Sequence, residues 1–331
     1  KVSTPFGAVG DKAFTLVIQS DGKLIAGGYT TVGSTRRFAL ARYTTTGTLD
    51  TTFGTGGKVT TIIGTYDVIF SLKIQPLDGK IVAGGYSLQG TQTEFALARY
   101  NSTDGSLDTT FGSGGKVITE IAPIGVDNDD EINDLVIQPD GKIVAAGYTY
   151  DDSLIQYQIT LVRYFTDGTL DTTFGTGGVV ITQIDMAGED DVANTIAIQP
   201  DGNLVVAGRS FSDDLGQYVF AVVRYSTTGA LDSTFGTGGI VTTAVGDNDE
   251  AFSVGIQVDG KVAVTGNTYK NDLGQNVFAL ARYNPDGTLD MSFGTGGVVF
   301  TTIGTSDDEA YALVIQPDGK LVAAGFSYNG Q

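Results

Sequence analysis

An Ile-Gln pair, a turn carrying Asp-Gly and an apolar run recur six times along the 331 residues. The turn aspartates are Asp21, Asp78, Asp140, Asp201, Asp259 and Asp318, spaced by 57, 62, 61, 58 and 59 residues. A near-constant period of this length means that one supersecondary unit is copied and stacked, because a unit of this size buries its apolar face only against its neighbours. The spacing therefore constrains the fold more tightly than any single motif does.

Four segments of each unit read as strands. A Thr-rich stretch such as Lys58-Val59-Thr60-Thr61-Ile62 comes first and leads through an acidic loop to Ala-x-x-Leu-x-Ile-Gln, as at Ala310–Gln316. There Leu313 and Ile315 share one face, the two-residue alternation of a strand. Asp-Gly is expected to supply the positive φ angles of a tight hairpin turn into the third strand, for example Lys320–Gly325. The fourth strand is Phe-Ala-Leu-Ala-Arg-Tyr at Phe38–Tyr43, Phe95–Tyr100 and Phe278–Tyr283, varied at Ile159–Tyr164 and Phe220–Tyr225. The sixth unit lacks this strand, while Val2–Thr4 matches the Thr-rich stretch.

The expected fold is all-β, a six-bladed β-propeller occupying residues 1–331 as one domain. Its last blade would be shared between the two termini and be one strand short. Regular hairpins favour this architecture over a β-solenoid, whose coils are shorter. The run Ile-Gln-Pro-Asp-Gly-Lys-Ile-Val-Ala-Ala-Gly at Ile137–Gly147 resembles the delta-60 repeat, and the likeness extends over essentially the whole chain. That resemblance implies a β-propeller of a secreted or surface-exposed bacterial protein, and it carries no catalytic residue to transfer.

Composition narrows the function. The net charge of −19 repels nucleic acid and anionic membranes, and no apolar run is long enough to insert in a bilayer. Cysteine and histidine are both absent, which removes disulfides, thiolate ligands, the usual general base and the commonest zinc ligand together. The chain opens without a signal peptide and reads as a processed or excised segment. These features lead us to expect a non-catalytic extracellular or cell-surface module, structural or adhesive, with a protein or glycan as its partner. The missing strand has two readings: the chain is a fragment of a longer polypeptide, or the gap receives a strand from another molecule, which would give head-to-tail self-association into filaments. The alternatives are a carbohydrate-active enzyme using paired loop carboxylates and a calcium-dependent binding module.

Candidate residues fall into repeated and unrepeated sets. Each Arg of the fourth strand precedes an Asp by eight or nine residues, as in Arg42 with Asp50 and Arg282 with Asp290, a spacing that suits a structural pair across a hairpin. Asp11, Asp67, Asp130, Asp191, Asp249 and Asp308 each stand eight residues before the Gln, where a carboxylate can accept turn N–H groups. Acidic loops holding Asp127, Asp129, Asp130 and Glu131, and Asp247, Asp249 and Glu250, offer hard oxygen ligands that would suit calcium, although without EF-hand spacing. No other cofactor is expected. The loops after the third strand differ most between units, and their Tyr157, Asp213, Asp214, Tyr218, Asn271 and Asp272 are the candidate contact residues.

Overall fold

The computed structural model describes residues 2–7, 9–121, 129–151, 154–184 and 190–328. Its described residues form strands and turns without a helix. The first sheet holds β1 (Val9–Ile18), β2 (Leu24–Val32), β3 (Thr35–Tyr43) and β4 (Lys58–Thr61), in that order. The second holds β5 (Asp67–Ile74), β6 (Ile81–Gln89), β7 (Gln92–Tyr100) and β8 (Lys116–Thr119), and the third β9 (Asp130–Ile137), β10 (Ile143–Asp151), β11 (Gln156–Tyr164) and β12 (Val179–Thr182). In the fourth are β13 (Asp191–Ile198), β14 (Leu204–Ser212), β15 (Gln217–Tyr225) and β16 (Ile240–Thr243). The fifth comprises β17 (Asn248–Ile256), β18 (Val262–Lys270), β19 (Gln275–Tyr283) and β20 (Val298–Thr301), and the sixth β21 (Asp308–Ile315) and β22 (Leu321–Ser327).

The Thr-rich stretch closes the sheet of the preceding strands; it does not open the next one. β4 lies against β3 with Phe38 opposite Thr61 and Leu40 opposite Val59. The reason is local. In the Phe-Gly-Thr-Gly-Gly turn, Gly57 N–H donates to Phe53 O at 2.9 Å and Thr55 N–H to Lys58 O at 2.8 Å, which turns the chain back beside the strand it has just left. The sixth sheet consequently has two strands among the described residues.

The Asp-Gly turn also differs from the two-residue form. Only its glycine has positive φ, +80° at Gly22 and +82° at Gly260. Gln19 N–H donates to Lys23 O at 2.8 Å, so three residues form the loop, a type I turn completed by a left-handed glycine. The aspartate uses its side chain instead, and Asp21 Oδ1 accepts Lys23 N–H at 3.1 Å.

A second glycine is fixed by close approach. The first strand of each blade is bulged, between Ala251 and Ser253 in β17 for instance, and the bulge pushes a carbonyl toward the second strand. A Cβ on Gly266 would lie 1.9 Å from Glu250 O, and one on Gly208 1.9 Å from Val192 O. Only glycine fits there.

The chain divides into two compact units, one of Lys1–Ser153 with Leu161–Val179 and the other of Leu154–Thr160 with Val180–Gln331. In the first, Phe38, Leu40, Phe53, Leu72, Ile81 and Tyr100 form one core between successive sheets, and Phe95, Phe111, Leu135 and Tyr164 belong to the next. In the second, Val205, Phe220, Phe235, Val262 and Tyr283 do the same. Each such buried side chain contributes about 1.5–3 kcal/mol relative to exposure.

Candidate functional site

The repeated Arg and Asp residues are consumed by a clamp between sheets. Arg42 closes β3 and is 2% exposed. Its Nε donates to Asp50 Oδ2 at 2.9 Å and its Nη2 to Thr52 Oγ1 at 3.1 Å, while the guanidinium stacks 4.4 Å from the centre of the Phe53 ring. The other face reaches the next sheet, where Nη2 donates to Thr103 O at 2.8 Å and Nη1 to Ser102 O. Arg224 repeats the arrangement with Asp232, Phe235 and Pro285 O.

A lysine from the Asp-Gly turn supplies the second cation, Lys23 to Asp50 at 3.0 Å and Lys261 to Asp290 at 2.9 Å. Arg282 completes the latter group, with Nη2 2.7 Å from Asp290 Oδ2. The Ser292 hydroxyl and Lys261 hold the Asp290 carboxyl well below the usual carboxylate range. At Asp171, burial opposes ionisation, but the Thr173, Lys142 and Arg163 contacts prevail and bring the pKa down to about 2.

A tyrosine makes a second link. Tyr100, Tyr225 and Tyr283 each donate from Oη to the last threonine of the preceding sheet, Thr61, Thr182 and Thr243, at 2.8, 2.7 and 3.0 Å. Tyr43 makes the same bond to Thr4, at 2.8 Å.

The acidic series serves the backbone. Asp67 accepts Ile63 and Gly64 N–H at 2.8 Å each, Asp249 accepts Val245 N–H at 2.8 Å and Gly246 N–H at 3.0 Å, and Asp308 accepts Ile303 N–H at 2.7 Å. Asp130 accepts Ile121 N–H at 3.2 Å and the Thr149 hydroxyl. Burial pushes the carboxyls of Asp130 and Asp249 up to about 6 despite these bonds. Buried Glu94 on β7, beside Asp130, is pushed up to about 8, first by burial and then by the Asp130 charge. Burial likewise raises Glu131 to about 7.

Asp129 accepts Thr93 N–H at 3.2 Å and its hydroxyl at 3.1 Å, and Asp247 accepts Asn271 N–H at 2.8 Å. Asp127 lies outside the described residues. Among the described residues no three acidic side chains gather as metal ligands. Of the loop candidates, Asp213, Asp214, Asn271 and Asp272 are exposed at turn tips, and Tyr157 N–H donates to Asp190 Oδ1 at 3.0 Å.

One group of residues departs from the repeat and converges. In the second unit a cavity of about 260 Å³ is lined by Arg209, Tyr218, Glu250, Phe252, Asn267 and Glu309, with further carboxamides around it. Arg209 Nη1 donates to Glu250 Oε2 at 3.1 Å and its guanidinium lies 4.7 Å from the Tyr218 ring centre. Asn194 Nδ2 occupies the other oxygen, Glu250 Oε1, at 3.1 Å. Tyr311 Oη donates to Glu309 Oε2 at 2.5 Å. Arg209 Nε and Asn267 Oδ1 are buried with no protein partner, leaving one donor and one acceptor there for water or a ligand.

Tyr218, Asp249 and Glu250 thus meet in one place, whereas Arg209 and Asn267 were not singled out by the sequence reading. The signal was a break in the repeat. The residue after the bulge glycine is Tyr29, Tyr86 and Tyr148 in the first three units and Phe326 in the last, but Arg209 and Asn267 in the fourth and fifth.

Successive antiparallel meanders joined by such links define a β-propeller repeat protein. Residues 19–53, 77–111, 138–174, 199–235 and 257–293 match the model of the family described as "Domain of unknown function (DUF5122) beta-propeller". The matches cover more than half of the sequence, and the chain belongs to that family. No curated protein matches the sequence. Among solved structures, the endo-arabinase from Bacteroides thetaiotaomicron is 15% identical with a TM-score of 0.42, over 88% of this chain and 93% of that one. Sqt1 from Chaetomium thermophilum is 18% identical with a TM-score of 0.49, over 95% and 67%. The polysaccharide lyase Uly1 is 10% identical with a TM-score of 0.47, over 98% and 83%.

Proposed function

We propose that this chain is a non-catalytic structural or adhesive module of the cell surface, in which the repeats supply rigidity and the unrepeated residues of the second unit supply contacts. The observation that carries the reading is the state of Glu250. Both of its oxygens are engaged, by Arg209 and by Asn194. A carboxylate held by a guanidinium and a carboxamide is a fixed acceptor, an arrangement that suits recognition of a hydroxyl-rich or amide-bearing partner. Aromatic edges with carboxamides and one ion pair suit a glycan. Assembly head to tail by strand donation belongs to the same reading.

The test is titration of the chain with a panel of neutral and acidic polysaccharides, following heat of binding and new reducing ends together. Saturable binding without new ends, weakened about tenfold or more by Glu250→Ala, is expected. Release of new ends, abolished by Glu250→Gln or Glu309→Gln, would instead establish a carbohydrate-active enzyme.

A further inference from the structure

Three cations that the clamps do not use gather on one groove of the first unit. The lysines of the Asp-Gly turns and the clamp arginines reach carboxylates, as Lys80 and Arg99 do with Asp108. Arg37, Lys58 and Lys116 make no ion pair among the described residues. All three line a cavity of about 900 Å³ between the first and second sheets. The strand register brings two of them together. β4 runs beside β3 with Phe38 opposite Thr61, so Arg37 stands one step further along, across from Ile62. The Ile62 carbonyl in turn accepts Lys116 Nζ from the second sheet at 3.1 Å. Lys58 Nζ is held in the same way by Pro5 O. Each ammonium keeps further N–H groups beyond the one it donates there. Arg37 Nε is buried with no protein partner, which leaves a donor open. Among the described residues Asp104 is the one carboxylate lining the cavity, and it is engaged elsewhere, accepting Ser106 N–H at 3.0 Å and the Ser106 hydroxyl at 2.7 Å.

The repeat supplies an internal control. In the second unit the same groove recurs at about 870 Å³, with Thr237, Asp286 and Thr288 in the places of Thr55, Asp104 and Ser106. Ile240 replaces Lys58 there, and Val219 and Val298 stand at the repeat positions of Arg37 and Lys116. The groove is thus a product of the fold, whereas its positive charge belongs to the first unit.

We propose that this groove binds an acidic glycan, seating a carboxylate or sulfate of the sugar against Arg37 and Lys116 with Lys58 beside them, and sugar hydroxyls against the exposed Thr55 and Thr60. The guanidinium offers a planar fork of donors that matches an oxyanion, and the lysines add point charges. The net charge of −19 opposes such a ligand at long range. At 0.1 M salt, however, exposed charges more than about 10 Å away are largely screened, so the cations lining the groove decide. The site uses none of the residues around Glu250 and stands whether or not that cavity takes a glycan.

The experiment titrates the whole chain with oligogalacturonate, with sulfated dextran and with neutral dextran, following heat of binding. Saturable binding of at least one acidic probe and none of neutral dextran is expected; preference for oligogalacturonate identifies the recognised group as a carboxylate, and preference for sulfated dextran identifies it as a sulfate ester. Affinity should fall about tenfold or more between 0.1 M and 1 M salt, as the screening length drops from about 10 Å to about 3 Å. Arg37→Gln and Lys116→Gln should each weaken binding about tenfold or more, and Arg37→Lys should weaken it less. Thr60→Glu, which sets a like charge against the ligand at an exposed position without touching the cations, should weaken it as well. Glu250→Ala should leave this binding unchanged, which separates it from a glycan held in the other cavity. Failure of both acidic probes to bind, equal binding of neutral dextran, full affinity in a folded chain carrying Arg37→Gln with Lys116→Gln, or loss of binding with Glu250→Ala alone would overturn the proposal.

Discussion

If Arg42 joins neighbouring sheets, its removal should loosen the next sheet as well as its own. Arg42→Met keeps an unbranched side chain over Phe53 while deleting the bonds to Asp50, Thr52, Ser102 and Thr103. Breaking a buried pair by removing one member costs about 3–5 kcal/mol, chiefly because the surviving charge is left alone. Here Lys23 stays 3.0 Å from Asp50, so the lower end, about 3 kcal/mol, applies. Asp50→Asn leaves Arg42 its two carbonyl acceptors, and the double variant should cost less than the sum of the singles by about 1–2 kcal/mol. Urea unfolding followed by circular dichroism gives these values. Amide exchange gives the location, since Gly54 N–H donates to Asp104 O at 2.7 Å next to the carbonyls that Arg42 holds. A cost below about 1 kcal/mol with unchanged exchange at residues 101–106 would refute the clamp.

Further consequences follow from the carboxyl groups and the bulge. Glu94 ordinarily titrates near 4.5 and is raised to about 8 in the fold, so between those values the unfolded chain releases a proton that the folded chain retains, and stability falls as pH rises through this window. Glu94→Gln should flatten that slope in plots of urea midpoint against pH; equal midpoints of the parent chain at both ends of the window would contradict the shift. The lowered carboxyls, such as Asp171, act oppositely and lose their contribution only as pH falls below the ordinary 3.8 toward about 2. Gly266→Ala places a methyl against Glu250 O and should cost about 1–3 kcal/mol or more, while also shifting the strand that carries Glu250 and weakening the proposed polysaccharide binding. A Gly266→Ala chain as stable as the parent would show that the bulge can relax.

The parts of this fold that were legible in the sequence are those in which one residue's chemistry answers to a neighbour a few positions away. The hairpins, the Arg42–Asp50 spacing and the carboxylates poised before each strand are of this kind. Where a unit begins is not legible in the same way, because a repeat read along a chain has no marked origin. The phase of Lys58–Thr61 depends on the direction of the Phe-Gly-Thr-Gly-Gly turn, which the threonines themselves do not encode. Asp-Gly suggests a two-residue turn, yet the carbonyl of Lys23 closes a three-residue one in which only Gly22 needs a left-handed conformation. Arg209 and Asn267 escaped for the opposite reason: attention to positions that recur passes over those that stop recurring, and here the departure from the aromatic series leaves buried donors and acceptors open.

The clamp and the tyrosine links both depend on the Thr-rich strand belonging to the sheet before it. The absence of native cysteine allows a direct measurement of this by paired substitution and mild oxidation. Ala39 and Thr60 face each other across β3 and β4, and a disulfide forms only where two Cα atoms lie within about 7 Å. The account predicts that Ala39→Cys with Thr60→Cys closes a disulfide in the folded chain. Failure of that pair, with closure instead between Thr60→Cys and Val68→Cys on β5, would contradict it.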